Sequence, residues 1–482
     1  MPTKPSIMFS QPITALRKKQ AGLLISSTTL IFVAFCSTFY SRIFCAITGA
    51  PSILNFLHFP VVLFVMIIAI CSGRVKDRHQ IAVAWALFAG IWILLCVMFA
   101  SAFLNDAGIA NVVINFMILG EPFMFLLAIS CIGFTVEKLN KLRRWLLISA
   151  VINLVLAILQ RFLLVAGHIS AAPYDETDGV QGVFFISGAG GYISTAVSVS
   201  FSIYCILYFK IIPLWIRILG LVATIYQIQI SDTKQVVLVS GLAWLILVLS
   251  KFQNLKKLLI YGICIALVVA VFLWAVHNLE TFESYAHWLS RDDINNSRTG
   301  GGLDVKLEGI RRVLNYYRSP LNWFLGLGPG HTLGRLGGWT INDMWSILSQ
   351  LGATKHPLYE EMWSFINSNW IALSTTLYVP LFSWAGIWGD QGWLGVAAYL
   401  FLGFIVWNYF CIDDFCKWLA LTIFVYGFFL TQMEEPGFML TMAMLIGLRW
   451  HEHRINLTNR NGSCSCRKYS AGAYTSSPIS HH

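Results

Sequence analysis

Long runs of apolar residues, separated by short polar segments, make up most of the chain. Most of these runs reach about 18 residues or more, enough for a helix to cross a bilayer core of ~30 Å. The pattern predicts about twelve membrane spans, at roughly 22–40, 53–72, 80–104, 107–134, 145–167, 190–209, 213–230, 235–250, 257–277, 392–410, 416–433 and 436–449. The two spans that flank Pro213 could instead form one broken helix.

Composition favours the same class of protein. Hydrophobic residues make up 57% of the 482 residues and charged residues 12%, and the mean hydropathy is +0.68. A soluble protein carries roughly twice that charged fraction. Because lipid requires every backbone polar group to be satisfied internally, and the runs are too long for barrel strands, we expect an all-α, polytopic helical membrane protein.

The predicted spans divide the chain into five parts. An N-terminal segment (1–21) precedes spans one to nine (22–277), and a large loop (278–391) separates these from spans ten to twelve (392–449). The tail (450–482) has the composition of a disordered segment. The loop is the long polar excursion of the chain, and we expect it to be helical.

Basic residues indicate the sidedness of this arrangement. They collect in alternate short connections, as the positive-inside rule predicts for cytoplasmic segments, at 17–19, 74–78, 138–144, 251–257 and 449–468. Both termini are therefore predicted to be cytoplasmic, and the large loop extracytoplasmic. The net charge of +10 then reflects topology, and no basic soluble domain remains to bind nucleic acid.

The loop lacks the motifs of a disulfide scaffold or a metal site. None of the eleven cysteines falls within it, and the chain has no His-Glu-x-x-His, Cys-x-x-Cys or Gly-x-Ser-x-Gly motif. We therefore expect neither a metal ion nor another cofactor.

Three cations on the predicted outer side do not fit the topogenic pattern. Arg42 follows the first span, Arg161 lies within the fifth, and Lys234 lies in the turn between the seventh and eighth. Because cations in or near a membrane usually face a cavity or a partner, they predict an anion site just below the outer surface. An ion pair with Asp232 would also explain Lys234. Glu121, near the middle of the fourth span, has Arg161 as its expected partner, in a structural or a substrate-binding pair.

The large loop contains an amphipathic helix and a glycine-rich turn. Residues 303–317 have helical periodicity, with an apolar stripe that comprises Leu303, Leu307, Ile310, Val313, Leu314 and Tyr317. The turn that follows at 326–330 reads GLGPG. Its backbone N–H groups could approach a phosphate, although such a sequence also simply makes a turn.

Two histidines of the loop, His331 and His356, suit general-base chemistry near neutral pH. Glu361 could act as a base or orient a sugar hydroxyl. Ordinary surface positions would explain these three residues equally well. Tryptophans are dense in the same region, which fits an aromatic belt at the membrane interface and also a groove in which sugar faces stack.

Together these features resemble the O-antigen polymerase and ligase superfamily, the Wzy-like and WaaL-like proteins. The resemblance rests on the plan of about twelve spans with one large outer loop, and on the segments GIRRVLNYYRSPLNWFLGLGPGHT and GIWGDQGWLGVAAYL. ISDTKQ occupies the place where these proteins tend to have a Ser-Arg turn, with lysine instead of arginine. A lysine there weakens a bidentate contact with a diphosphate.

The resemblance implies a membrane-embedded glycosyltransferase, of the inverting type, that works without a metal at the outer face of the bacterial inner membrane. The donor would be a glycan on undecaprenyl diphosphate, and a flippase and a chain-length regulator of the same pathway would be partners. The candidates for the base are His331, His356, Glu361 and Asp390. The candidates for binding the diphosphate or substrate are Arg161, Lys234, Arg298, Arg311, Arg312, Arg318, Gly328 and Gly330.

Two details separate the alternatives. Ligases of this superfamily tend to carry a histidine shortly before the acidic-Gly motif, whereas this chain reads VPLFSWAG there, which favours a polymerase of exopolysaccharide or O-antigen type. A transporter or flippase of lipid-linked sugars should have internal repeats and ionisable residues along many spans, and we find neither pattern. A non-catalytic scaffold in an assembly complex is the third alternative.

Overall fold

The computed structural model describes residues 27–72, 77–169, 178–185, 188–251, 301–374 and 377–471, together with the single positions 263, 267, 270, 274, 277 and 278. Every regular element within these residues is a helix, which confirms the predicted all-helical fold. The predicted ninth span, 257–277, and the start of the large loop lie largely outside this part of the chain.

The helices before the loop correspond closely to the apolar runs. They are α1 Ser27–Phe39, α2 Ser41–Thr48, α3 His58–Ser72, α4 Arg78–Leu104, α5 Ile109–Cys131, α6 Val136–Val165, α7 Gly190–Tyr208, α8 Leu214–Ile230 and α9 Lys234–Leu249, with 3-10 helices at Ser52–Phe56 and Gly182–Phe184. Polar side chains cap two of them at the N-terminus. Asp77 accepts a hydrogen bond from the backbone of His79 at 2.9 Å, and Thr135 accepts one from Lys138.

The loop and the final helices follow a second pattern, in which short helices precede long ones. The elements are α10 Gly302–Asn315, α11 Asn322–Leu325, a π-helix Leu336–Thr340, α12 Ile341–Asp343, α13 Trp345–Leu348, α14 Leu358–Ser368, α15 Trp370–Ser374, α16 Ser383–Tyr409, α17 Asp414–Tyr426, a 3-10 helix Thr431–Glu434 and α18 Pro436–Ala471. The predicted amphipathic helix at 303–317 is confirmed as α10.

Six helices of the described chain are long and apolar enough to cross a membrane: Ile53–Ser72, α4, α5, α6, α7 and α16. Helices α1 and α2 would form a seventh span if the pair, bent by 58°, is counted as one. Helices α8 and α9 are shorter apolar helices of 17 and 16 residues. The predicted count of twelve is therefore not confirmed. Around Pro213, α7 and α8 are two separate helices that pack against each other.

Helix α5 is the centre of the bundle. It packs against α3, α4 and α18, and most of its 23 residues are buried. Its sequence is apolar nearly all round, as expected for a helix that is enclosed by protein. The polar residues that it does carry, among them Asn111, Asn115 and Glu121, are buried and contact partners on other segments.

The loop and a cluster of charged residues lie at opposite ends of the bundle. Helix α4 has 27 residues and extends roughly 40 Å at about 1.5 Å per residue. Asp77, before its first turn, forms an ion pair with Arg454 at 2.5 Å. Asn105, after its last turn, donates a hydrogen bond to the backbone oxygen of Gly326 at 3.1 Å. This separation is the one that the charge pattern predicts, and the assignment of the Arg454 end to the cytoplasm stays a prediction.

Glycines allow the loop to pack directly on the backbone of α16. A Cβ atom on Gly386 would lie 2.4 Å from Cα of Gly334, and one on Gly392 would lie 2.3 Å from the carbonyl carbon of Phe324. Gly392 also has a φ of 62°, a left-handed conformation that favours glycine. The two chain segments therefore approach each other more closely than any side chain permits.

We expect Gly386→Ala to destabilise the protein by about 1–3 kcal/mol, because the added methyl group must displace backbone atoms. Gly403→Ala is the matched control on the same helix. No atom lies within 4 Å of a Cβ at Gly403, and alanine is the better helix former by about 1 kcal/mol. Thermal unfolding of the purified protein in detergent should give a lower midpoint for the first variant alone. Equal midpoints would contradict the close packing.

Candidate functional site

A buried carboxylate, Asp390, holds the glycine-rich turn in place. Oδ2 accepts hydrogen bonds from the backbone of Gly330 at 2.7 Å and from Nδ2 of Asn115 at 3.1 Å. Oδ1 accepts from the backbone of Thr332 at 2.9 Å and from its hydroxyl at 2.7 Å. The side chain is 3% exposed. A carboxylate with four donors in a buried setting is fixed in position, so the geometry makes Asp390 an anchor of the loop.

The N–H groups of the turn point into the protein. Gly328 donates to the backbone oxygen of Asp390 at 3.0 Å, and Gly330 donates to its carboxylate. Both glycines have a positive φ, 106° and 71°, which explains why glycine occurs at these positions. Both N–H groups already donate hydrogen bonds to Asp390, so in this arrangement neither is available to the phosphate that Gly328 and Gly330 were predicted to bind.

A polar cavity of about 410 Å³ lies beside this turn. Its walls come from the bend between α1 and α2, the start of α3, the start of α7, the loop segment around the π-helix, and the residues that lead into α18. The ionisable side chains that line it are Arg42, His58, Arg335, Asp343 and Glu435. Because these ionisable side chains surround a cavity, they mark the candidate functional site.

Arg335 is the best-defined cation of the cavity. Its guanidinium lies 3.1 Å from Oε2 of Glu435 and donates to the backbone oxygen of Glu434 at 2.8 Å. Its backbone N–H donates to Oε2 of Glu434 at 2.6 Å. The Asp390 anchor places the turn, and Arg335 follows three residues after Thr332, so the anchor also determines where this guanidinium lies.

Arg42 was predicted from the sequence to face a cavity or a partner, whereas Arg335 was not among the predicted residues. Arg335 closes the GLGPGHTLGR segment, and its place directly after the turn was the available signal. Its acidic neighbours lie about a hundred positions further along the chain, and sequence pattern alone does not bring such distant residues together.

The carboxyl group of Glu434 is buried behind Arg335. Burial raises its pKa to about 8, and the nearby Asp390 carboxylate adds to this effect, whereas the N–H group and positive charge of Arg335 act in the opposite direction. Glu434 is therefore protonated at neutral pH. The carboxyl of Asp343, on the loop side of the cavity, also has a raised pKa because of burial.

Among the described residues, the cations that were predicted to bind a diphosphate do not line the cavity. Lys234 forms an ion pair with Asp232 at 2.7 Å, the alternative that the sequence left open. Arg161 is half-buried on α6. Their predicted role in binding substrate stays a prediction.

Glu121 has a different partner from the one expected. Its Oε1 lies 2.7 Å from Nδ1 of His58, and both side chains are buried. The expected pairing of Glu121 with Arg161 was therefore wrong. The physical reason is that α5 packs against α3, whereas the sequence-based argument considered the next span along the chain.

The two loop histidines lie side by side, with ring centroids 5.5 Å apart. Nδ1 of His331 lies 2.8 Å from the backbone oxygen of Leu327, and Nε2 lies 2.8 Å from the hydroxyl of Thr354. Nδ1 of His356 accepts from the backbone of Leu358 at 3.2 Å. Burial lowers the pKa of His331, and burial together with the charge of His331 lowers that of His356 to about 4. Both are neutral near pH 7, and His331 has both ring nitrogens engaged.

The remaining predicted residues lie on α10, just after it and on α14, and they are partly buried or exposed. Tyr316 donates a hydrogen bond to Glu361, and Arg312 lies 3.0 Å from Glu308. Arg311 is 56% exposed and pairs with Asp304 on the same helix at 3.0 Å. Arg318 is likewise exposed. Arg298 lies outside the described residues.

The buried face of α10 contains most of the apolar stripe that was expected, since Val313 is buried and Ile310, Leu314 and Tyr317 pack against the core. Leu303 is 65% exposed, whereas Val305 and Gly309 are buried. Lys306 turns inward, where its ammonium group donates to the backbone oxygens of Leu377 at 2.7 Å and Phe429 at 2.9 Å. Burial lowers the pKa of Lys306 to about 7. The predicted face is therefore right except at Leu303, and Val305, Gly309 and Lys306 add buried contacts that the apolar periodicity did not indicate.

Within the part of the chain that the structure describes, no three His, Cys, Asp or Glu side chains come together as metal ligands. No protein-family model, no curated protein and no solved structure matches this chain.

Because burial raises the pKa of Glu434 from 4.5 to about 8, its contribution to stability is fully present below pH 4.5 and is lost as the pH rises from 4.5 to about 8. Glu434→Gln keeps an oxygen acceptor for the N–H of Arg335 and cannot ionise. We expect the thermal midpoint of the native protein to fall relative to that of the variant between pH 4.5 and about pH 8, and to level off above that pH. Glu360→Gln, at an exposed position of α14, is the control and should show no such trend. If the thermal midpoints of Glu434→Gln and the native protein changed in the same way with pH, the raised pKa of Glu434 would be refuted.

Proposed function

We propose that the protein polymerises lipid-linked oligosaccharide repeat units into exopolysaccharide or O-antigen at the outer face of a bacterial inner membrane. Each step would transfer a growing glycan from undecaprenyl diphosphate to a hydroxyl group of the next repeat unit, without a metal ion. A flippase would supply the lipid-linked unit, and a chain-length regulator would act on the product.

The observation that carries this proposal is the polar cavity with Arg42 and Arg335 in its walls. Departure of a diphosphate from a sugar requires stabilisation of the negative charge that develops on it. Guanidinium groups do this well, since their planar donors match phosphate oxygens in pairs. A volume of about 410 Å³ lies in the range of small-molecule sites.

The surroundings of the cavity suit the rest of such a substrate. Next to Arg42, helix α2 exposes Phe44 and Ile47, whose side chains are 55% and 78% exposed. An isoprenoid chain could lie along this apolar surface while its diphosphate enters the cavity. On the loop side, Trp339 lines the cavity and offers an aromatic face to a sugar.

The decisive test uses purified protein in detergent with undecaprenyl-diphosphate-linked repeat unit and EDTA, with products resolved on a gel. We expect a ladder, and we expect Arg42→Ala and Arg335→Ala each to lower its rate of formation by about 100-fold or more, the usual effect of removing one charge-stabilising group. Arg78→Ala, at an exposed position at the other end of α4, should retain the native rate.

Other outcomes separate the alternatives. A product that forms only when a lipid A core acceptor is added would identify a ligase. No product, with movement of the same lipid across proteoliposomes, would identify a transporter. A ladder that both arginine variants make at the native rate would leave the polymerase in place and remove the diphosphate from this cavity.

A further inference from the structure

His58 and Glu121 form a dyad at the wall of the cavity. His58 begins helix α3 and lines the cavity, whereas Glu121 lies behind it on α5. Their contact, 2.7 Å between Nδ1 and Oε1, is buried on both sides. The sequence analysis did not consider His58.

The carboxylate determines which nitrogen of His58 is basic. Nδ1 donates its hydrogen to Glu121, so Nε2 carries the lone pair. Nε2 makes no hydrogen bond with any described residue, and it is the ring nitrogen left for a ligand in the cavity. Oε2 of Glu121 is also buried without a hydrogen bond among the described residues.

We infer that His58 is the general base of the proposed glycosyl transfer and that Glu121 is the residue that positions it. This inference rests on the proposed function. Nε2 takes the proton of the acceptor hydroxyl as that oxygen bonds to the anomeric carbon of the donor sugar. The bond from this carbon to the phosphate oxygen breaks, and the electron pair leaves with undecaprenyl diphosphate beside Arg42 and Arg335. The proton on His58 then passes to the departing diphosphate or to water.

The other ionisable groups that face the cavity are less suited to this role. Glu435 is paired with Arg335 at 3.1 Å, and Asp343 is only partly buried at the rim of the cavity, where no hydrogen bond or ion pair with a described residue positions its carboxyl group. Arg42 and Arg335 have no lone pair to offer. His331, the base expected from sequence, has both ring nitrogens in hydrogen bonds and does not line the cavity.

The test compares variants of the whole protein in the gel assay described above. We expect His58→Gln, which keeps a polar group toward Glu121, to fold and to lose at least about 100-fold in rate, as for loss of a general base. His168→Ala, at an exposed position after α6, is the control and should retain activity.

Chemical rescue separates catalysis from structure. Imidazole should restore polymer formation to His58→Gly in proportion to the concentration of its neutral form. Pyrazole has the same size and is a far weaker base, so it should not. Glu121→Gln should lower kcat and leave the KM for the lipid-linked unit nearly unchanged, because an amide no longer fixes which nitrogen of His58 carries the hydrogen.

Three results would overturn the inference. A folded His58→Gln variant that polymerises at the native rate would place the base elsewhere while the polymerase function stands. Equal rescue by imidazole and pyrazole, or no rescue by either, would reduce His58 to a packing role. If the native protein forms no ladder, the proposed function fails and the role of His58 fails with it.

Discussion

The hydrogen bonds to the Asp390 carboxylate are the constraint on which the site depends. An ionised carboxylate without partners would be very costly in the interior of a helical membrane protein. Asp390 is stable there because the loop supplies three donors and α5 supplies the fourth through Asn115. Three of these bonds hold the loop turn on α16, the fourth joins α16 to α5, and Asn111 of α5 donates to the backbone oxygen of Pro329 in the turn at 3.0 Å. The buried Asp390 carboxylate thus determines the position of the loop turn.

Close backbone packing strengthens this constraint. The loop lies against α16 at glycines, so its path cannot shift sideways without a clash. Ser101 and Asn105, at the end of α4, bind backbone oxygens of Asp390 and Gly326 at 2.7 and 3.1 Å. Arg335 therefore projects from a segment that is fixed on several sides, which is the support that a binding group needs if its geometry is to be reproducible.

The sequence predicted correctly those features that depend on residues close together in the chain. Long apolar runs predicted the helices, charge runs predicted which segments share an end of the bundle, and an unexplained cation predicted that Arg42 faces something polar. It failed where the determinant was a contact between distant segments. The His58–Glu121 pair joins residues 63 positions apart, and the sequence around neither residue indicates the contact. The apolar stripe of α10 was largely correct, but the burial of Gly309 was missed because a hydrophobicity pattern does not register a site of close approach.

The protonation of Glu434 decides how available Arg335 is to a ligand. Were both Glu434 and Glu435 ionised, two carboxylates would surround this guanidinium and an incoming anion would meet net repulsion. With the pKa of Glu434 raised to about 8, only Glu435 competes with the anion. A diphosphate can then replace one carboxylate as the partner of Arg335, which costs less than displacing two. Burial of Glu434 thus removes one negative charge from beside Arg335. The cavity can therefore bind an anion more readily than it could if two carboxylates held the guanidinium.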